Sequence, residues 1–217
     1  MLPGVVTLAF DTSGPACCAA ILSGETIIAD TVEQMARGQA ERLFPLLDEL
    51  LSAAGLAWGD VGRIGVGTGP GNFTGIRISV AAARGLALSL GCPAIGVSTL
   101  DALAHGLPQP CLTVVPARRG SIYLQRHRQG EVHAPETLTL DELAAAALPP
   151  VPVCGDVAND VAARIGGTVV RPAAPHAVSI ARIACARAAD TADRPRPLYL
   201  RAADAAPASD RPPAILP

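Results

Sequence analysis

The sequence predicts an α/β chain built as two tandem βββαβαβα units. Two observations carry this. Three strand-like segments joined by glycine turns are followed by an alternation of helix-period and short apolar segments, and the same order returns about 106 residues later.

The elements follow in order. Val5–Phe10 is a β-branched, apolar strand that ends at Asp11-Thr12-Ser13-Gly14-Pro15. Ala16–Leu22 is the second strand, closed by Ser23-Gly24, and a third runs from Glu25 to about Val32, so the three form an antiparallel meander. Gln39–Ala54 reads as a helix, with Leu43, Leu46, Leu47, Leu50 and Leu51 at helical spacing and Gly55 as its stop. Ile64–Gly67 is a short buried strand, and Gly67-Thr68-Gly69-Pro70-Gly71-Asn72-Phe73 a glycine-rich loop before a helix over Thr74–Leu90. Ala94–Val97 is a strand, and Thr99–His105 a short helix with Ser98 as its N-cap.

A gapless shift then places Thr7 on Thr113, Gly14 on Gly120, Gly24 on Gly130 and Glu25 on Glu131, two of them turn glycines that fix strand length. Leu-Asp-Glu-Leu recurs at 140–143 as a helix start. Val151–Cys154 and Thr168–Arg171 read as strands, and Val157–Ile165 and Val178–Ala189 as helices. The first unit is therefore assigned to 1–106 and the second to 107–203, with the boundary at Gly106–Pro110. The Pro- and Ala-rich tail, 204–217, reads as a frayed end or a peptide that orders on a partner.

Composition narrows the chemistry. Half of the 217 residues are hydrophobic, 17% are charged and 3% aromatic, which describes an ordered chain with an aliphatic core. All 17 basic residues are Arg; without Lys, Schiff-base chemistry and a Walker P-loop are excluded. A net charge of −2 argues against tight nucleic-acid binding by this chain alone, and Arg118, Arg119, Arg126 and Arg128 read as a solvated strand face. No signal peptide is expected in Met1–Phe10. No membrane span is expected either, since Arg84 interrupts the best candidate, Ile76–Leu90. The six cysteines form no C-x-x-C and read as buried thiols of a reducing cytosol.

Two tandem units of this kind describe the ribonuclease H-like, actin-like ATPase architecture. There a nucleotide lies between the halves and an Asp at the first turn sits beside the phosphates. Leu8–Ser13, Gln39–Pro45, Gly67–Ile78 with its G-P-G-x-F-T-G-x-R run, Gly96–Leu100 and Pro197–Arg201 resemble the TsaB (YeaZ) family over nearly the whole chain. That resemblance implies a non-catalytic, cytoplasmic subunit required for tRNA threonylcarbamoyladenosine formation. It would bind the transferase TsaD as a heterodimer, act with TsaE, form a homodimer when alone, and meet tRNA only through the complex.

Residue by residue, the chain offers no H-x-x-x-H pair for a metal, and none of its four His stands out from a surface or loop role. It has no G-x-S-x-G elbow for a peptidase. Asp11, Thr12 and Ser13 could face Mg²⁺ and phosphate, or satisfy their own turn. Gly69, Gly71, Thr74, Gly75 and Arg77 have the form of a phosphate loop, against which stand a tight corner, a Thr74 helix cap and a partner contact by Arg77. Phe73 is expected to plug a pocket. Pro116 stands where the family more usually carries a second Asp, so the site reads as vestigial. No cofactor is expected, with a remnant of ATP or ADP binding left open, and an active ATPase or transferase is the alternative function. The partner surface is assigned to Leu43, Leu46, Leu47 and Leu50 of the first helix and the small stripe Ile78, Ala82, Gly85 and Ser89 of the second.

Overall fold

A computed structural model describes residues 4–188 and 194–200. Strands β1 (Val6–Asp11), β2 (Ala16–Ser23) and β3 (Thr26–Gln34) form the expected meander. Helix α1 (Gln39–Ala53), β4 (Val61–Gly67), α2 (Phe73–Leu90), β5 (Ala94–Val97) and α3 (Thr99–Ala104) complete the first βββαβαβα order. The sheet order is β3-β2-β1-β4-β5, antiparallel through the meander and parallel from β1 to β5.

The order repeats. Strands β6 (Cys111–Pro116), β7 (Ser121–Arg128), β8 (Glu131–Val132), β9 (Glu136–Thr139), β10 (Pro152–Cys154) and β11 (Thr168–Val169) alternate with α4 (Leu140–Ala145), α5 (Ala158–Ile165) and α6 (His176–Ala186). Gly24 and Gly130, matched by the shift, both turn their hairpins with positive φ, 60° and 78°. The second copy is thinner: its third strand is divided into β8 and β9, both paired to β7, and α4 has six residues where α1 has fifteen.

Two cores flank the first sheet. On one face α1 and α2 pack over Leu8, Phe10, Ile21, Ile64 and Val66. The other face carries Ala9, Cys18, Ala20 and Leu22, and what covers it is α6, through Ala177, Val178, Ile180 and Ala181. The last helix of the second half is therefore packed on the sheet of the first, while α3 lies against β6 and β7 of the second. The helix comes close: a Cβ added at Gly65 would sit 3.0 Å from Ala184 Cβ. Arg63 fixes its far end, donating from Nη1 to the carbonyls of Ala184, Cys185 and Arg187 at 2.7, 2.8 and 3.1 Å. That satisfies acceptors which every helix C-terminus leaves open.

Helix α2 is long and apolar enough to cross a membrane by composition, yet Ile76, Ser79, Val80 and Ala83 are buried in this fold. None of the six cysteines is paired. The tail at 204–217 and Arg201 lie outside the described residues.

Candidate functional site: the first β-turn and its glycine loop

The C-terminal ends of β1, β4 and β5 bring together the β1–β2 turn and the glycine loop, the edge at which open α/β sheets place ligands. Asp11 closes β1 and is 3% exposed. Its carboxylate accepts from Ser13 N at 2.7 Å, Ser13 Oγ at 2.8 Å and His176 Nε2 at 2.9 Å. His176 opens α6, so the pair joins the two halves of the chain. Burial pushes the Asp11 pKa up, but His176 and the two Ser13 donors outweigh it and hold the carboxyl below its ordinary value. Behind it the wall is β4: a Cβ at Gly67 would lie 2.2 Å from the Asp11 Cγ.

The glycine loop is seated on this turn. Asn72 N donates to Ser13 O at 2.7 Å, and Thr12 Oγ1 donates to Gly75 O at 2.6 Å. A Cβ at Gly71 would stand 2.7 Å from Ser13 O, and one at Gly75 only 1.9 Å from Thr12 O. Gly69 carries the positive φ of the corner, 85°, and its carbonyl accepts from Thr99 N. The first free amides of α2 are also taken: Asn72 Oδ1 accepts from Thr74 N and Gly75 N, each at 3.0 Å. The cap is thus Asn72, not Thr74, because the Asn carbonyl two residues upstream reaches the amides first. In this arrangement the loop's glycines serve backbone-to-backbone packing, and three amides of the corner, those of Asn72, Thr74 and Gly75, are taken by acceptors of the chain itself.

Beside the loop, Phe73 is 45% exposed and fills no pocket. Its ring lies 5.3 Å from that of Tyr199, the Arg77 guanidinium sits 3.8 Å above it, and Arg77 Nε donates to Tyr199 Oη at 2.9 Å. Leu198 N donates to Thr68 O, fastening the C-terminal segment here. Ser98 takes the simple role assigned to it, accepting from Asp101 N as the cap of α3.

The second candidate surface lies across α1 and α2. Leu43, Leu46, Leu47 and Leu50 are buried at 0%, 3%, 0% and 8% against the chain's own sheet, which corrects their assignment to a partner-facing row. They occupy the one stripe a helix needs to sit on a sheet, leaving none of them as surplus. The exposed side is different: Ala40, Phe44, Ile78, Ala81, Ala82, Gly85 and Ser89 line an open groove of about 510 Å³, with Leu43 at its floor. Ile78 and Ala82 are half-buried, and Gly85 and Ser89 are exposed.

A family model described as "TsaD: tRNA N6-adenosine threonylcarbamoyltransferase" matches residues 27–189. The Escherichia coli tRNA threonylcarbamoyladenosine biosynthesis protein TsaB is 36% identical over 138 residues, 60% of this chain and 59% of that protein. A solved Pseudomonas aeruginosa structure, described as similar to peptidase YeaZ, superposes with a TM-score of 0.72 at 29% identity, covering 91% of this chain and all of that one. The chain is a TsaB (YeaZ) member of the TsaD family. An uncharacterized Mycobacterium tuberculosis protein is 34% identical over 206 residues, 92% of this chain and 93% of that one. The match to the Escherichia coli TsaB thus spans about three-fifths of its length, whereas the mycobacterial match is nearly complete. Component A of the Acidaminococcus fermentans (R)-2-hydroxyglutaryl-CoA dehydratase superposes at a TM-score of 0.53 with 14% identity, a likeness of fold alone.

Within this TsaB-family chain the β6–β7 turn, the second-half counterpart of the Asp11 turn, carries no carboxylate. The shift sets Ala117 opposite Asp11, and the β6–β7 turn carries Arg118 and Arg119, the latter at φ 57°. The histidines are more engaged than the sequence implies. Besides His176, His127 Nε2 lies 2.8 Å from Thr113 Oγ1, and His133 pairs with Glu131. Among the described residues no three His, Cys, Asp or Glu side chains come together to hold a metal.

Proposed function

We propose that this chain is a non-catalytic partner subunit for tRNA threonylcarbamoyladenosine formation. It binds a TsaD-type transferase, acts with the ATPase TsaE in the cytoplasm, and meets tRNA through the complex. Family membership supports the process. One observation carries the non-catalytic role: the carboxylate of the turn, Asp11, is buried and engaged by Ser13 and His176 while the glycine loop packs onto the same turn. A carboxylate that orients hydrated Mg²⁺ needs an open face. On this reading the chain requires no nucleotide or metal of its own.

The partner surface is the exposed α1–α2 groove, which also serves a homodimer when the transferase is absent. Gly85 supports this. A mid-helix glycine costs roughly 1 kcal/mol against alanine, and among the described residues nothing beyond its own helical turn lies within 4 Å of where its Cβ would stand. Co-purification with the host's TsaD relative tests the reading. Gly85→Trp or Ala82→Trp should weaken association by about one to two orders of magnitude, since overpacking costs about 1–3 kcal/mol. A folded Gly85→Trp chain that binds the transferase unchanged would place the interface elsewhere.

A further inference from the structure

The flank of α2 turned away from α1 carries a strip of cations and aromatic rings. Phe73, Arg77, Arg84 and Leu88 recur at helical spacing on one side of the helix, and all four are exposed. The C-terminal segment 194–200 runs beside them in the opposite direction. Arg194 borders the hollow that Arg84 and Leu88 also line, while Tyr199 sits against Phe73 and Arg77 at the start of the helix. The lengths agree: Phe73 to Arg84 rises about 16 Å along a helix, and Arg194 to Tyr199, held extended by Pro195 and Pro197, covers about the same. Pro195 is buried, with Arg194 and Arg196 exposed on either side of it.

The strip therefore gathers four guanidinium groups, those of Arg77, Arg84, Arg194 and Arg196, in a chain whose net charge is −2. Elsewhere Arg42, Arg126 and Arg187 each pair with a carboxylate. None of these four does so among the described residues, and no Asp or Glu stands between Asp60 and Asp101 in the sequence. The aromatic rings are as unevenly placed. The chain has 3 Phe, 2 Tyr and 1 Trp, and two of these rings stand side by side here, 45% and 47% exposed. The Arg77 guanidinium braces them, 3.8 Å over the Phe73 ring and bonded to Tyr199 Oη.

An acidic peptide would satisfy the cations and leave the rings without a use. A single RNA strand uses both, since its phosphates pair with guanidinium groups and its unpaired bases stack on aromatic rings and guanidinium planes. A duplex keeps its bases stacked on one another, so the rings select an unpaired stretch.

We infer that this strip binds an unpaired stretch of RNA directly, with bases on Phe73 and Tyr199 and phosphates on Arg84, Arg194 and Arg196. This rests on the reading of the chain as a subunit of a tRNA-modifying complex, to whose RNA surface the strip adds a part. Four cations in a chain of net charge −2 make a contact that works beside the transferase's own.

The test titrates the complex of this chain and its host's TsaD relative with an unmodified tRNA transcript, by fluorescence anisotropy over a series of salt concentrations. Arg194→Glu/Arg196→Glu should weaken RNA binding at least tenfold and flatten the salt slope by about 1.4, two phosphate contacts at about 0.7 each. Both residues lie away from the α1–α2 groove, so the heterodimer should form as before. Tyr199→Ala should weaken binding about tenfold with an unchanged slope, because stacking releases no counterions, and Tyr199→Phe should keep the affinity. Ultraviolet cross-linking of the wild-type complex should attach RNA to peptides bearing Phe73 or Tyr199. Unchanged affinity and slope in the arginine variant, or cross-links confined to the transferase, would overturn the inference. So would an arginine variant that loses the transferase, which would make the strip a protein interface. A wild-type chain that forms no complex at all would overturn the partner-subunit reading and this inference with it.

Discussion

Gly75→Ala and Gly85→Ala make the same change in one helix and should move stability in opposite directions. At Gly75 the new Cβ would stand 1.9 Å from Thr12 O and 2.8 Å from its carbonyl carbon, backbone atoms that cannot swing aside. The start of α2 must back away by more than an ångström. The Thr12 Oγ1 bond to Gly75 O, the Asn72 cap and the Asn72 N bond to Ser13 O all stretch with it. Overpacking of about 1–3 kcal/mol, with about 1 kcal/mol each for a cap and a hydrogen bond, gives a loss of about 3–5 kcal/mol. At Gly85 nothing beyond the helix's own turn lies within 4 Å among the described residues, and the substitution should add up to about 1 kcal/mol by helix propensity. Urea unfolding followed by circular dichroism reads both. At a slope near 2 kcal/mol/M, Gly75→Ala should lower the midpoint by roughly 2 M and Gly85→Ala raise it by a few tenths. A Gly75→Ala chain of wild-type stability would refute the packing argument and return the loop to a ligand-binding role.

Other outcomes follow from the same contacts. Asp11 has a carboxyl pKa below its unfolded value, so its pairing with His176 and Ser13 stabilises the fold above about pH 4 and is lost as pH falls through the folded pKa. Acid titrations should therefore show a shallower low-pH limb for Asp11→Asn than for wild type. His176→Ala leaves that carboxylate buried with Ser13 alone and should cost about 3 kcal/mol by thermal melting. Arg63→Ala uncaps α6 and should cost about 2 kcal/mol; unchanged melting would remove Arg63 as the clamp on that helix. Burial raises the thiol pKa of Cys17 and of Cys154 to about 11. A thiol reagent should accordingly label at most Cys92 and Cys185 in the native chain, and all six cysteines once it is unfolded.

The element order was legible because it rests on local periodicity: five leucines at helical spacing, β-branched runs and turn glycines identify their segments without tertiary help. The duplication was legible for the same reason, since Gly24 and Gly130 must each turn a hairpin. What α6 packs on was not. Its apolar face of Ala, Val and Ile suits either sheet, and its partner residues on β1, β2 and β4 lie more than 100 positions away. The Asp11–His176 pair follows from that placement and has no local signal. Asn72 could have been read as the cap, because an Asn immediately before the helix's first residue is the pattern whose side chain satisfies the amides two and three positions on. The leucine row was misassigned for a simpler reason. Positions 43, 46, 47, 50 and 51 look like two rows in a list of residues, yet on a helix they form the single stripe that the sheet demands.

The central claim, a partner subunit that supports the modification without doing chemistry, is tested most directly in cells lacking their own TsaB. Expression of this chain should restore threonylcarbamoyladenosine, measured by mass spectrometry of nucleosides from bulk tRNA. The Ala82→Trp/Gly85→Trp chain, folded and equally abundant, should not, and the purified wild-type chain should turn over no ATP with Mg²⁺. Modification left unrestored by an abundant folded chain that binds the host transferase would contradict the account, as would steady ATP turnover abolished by Asp11→Ala.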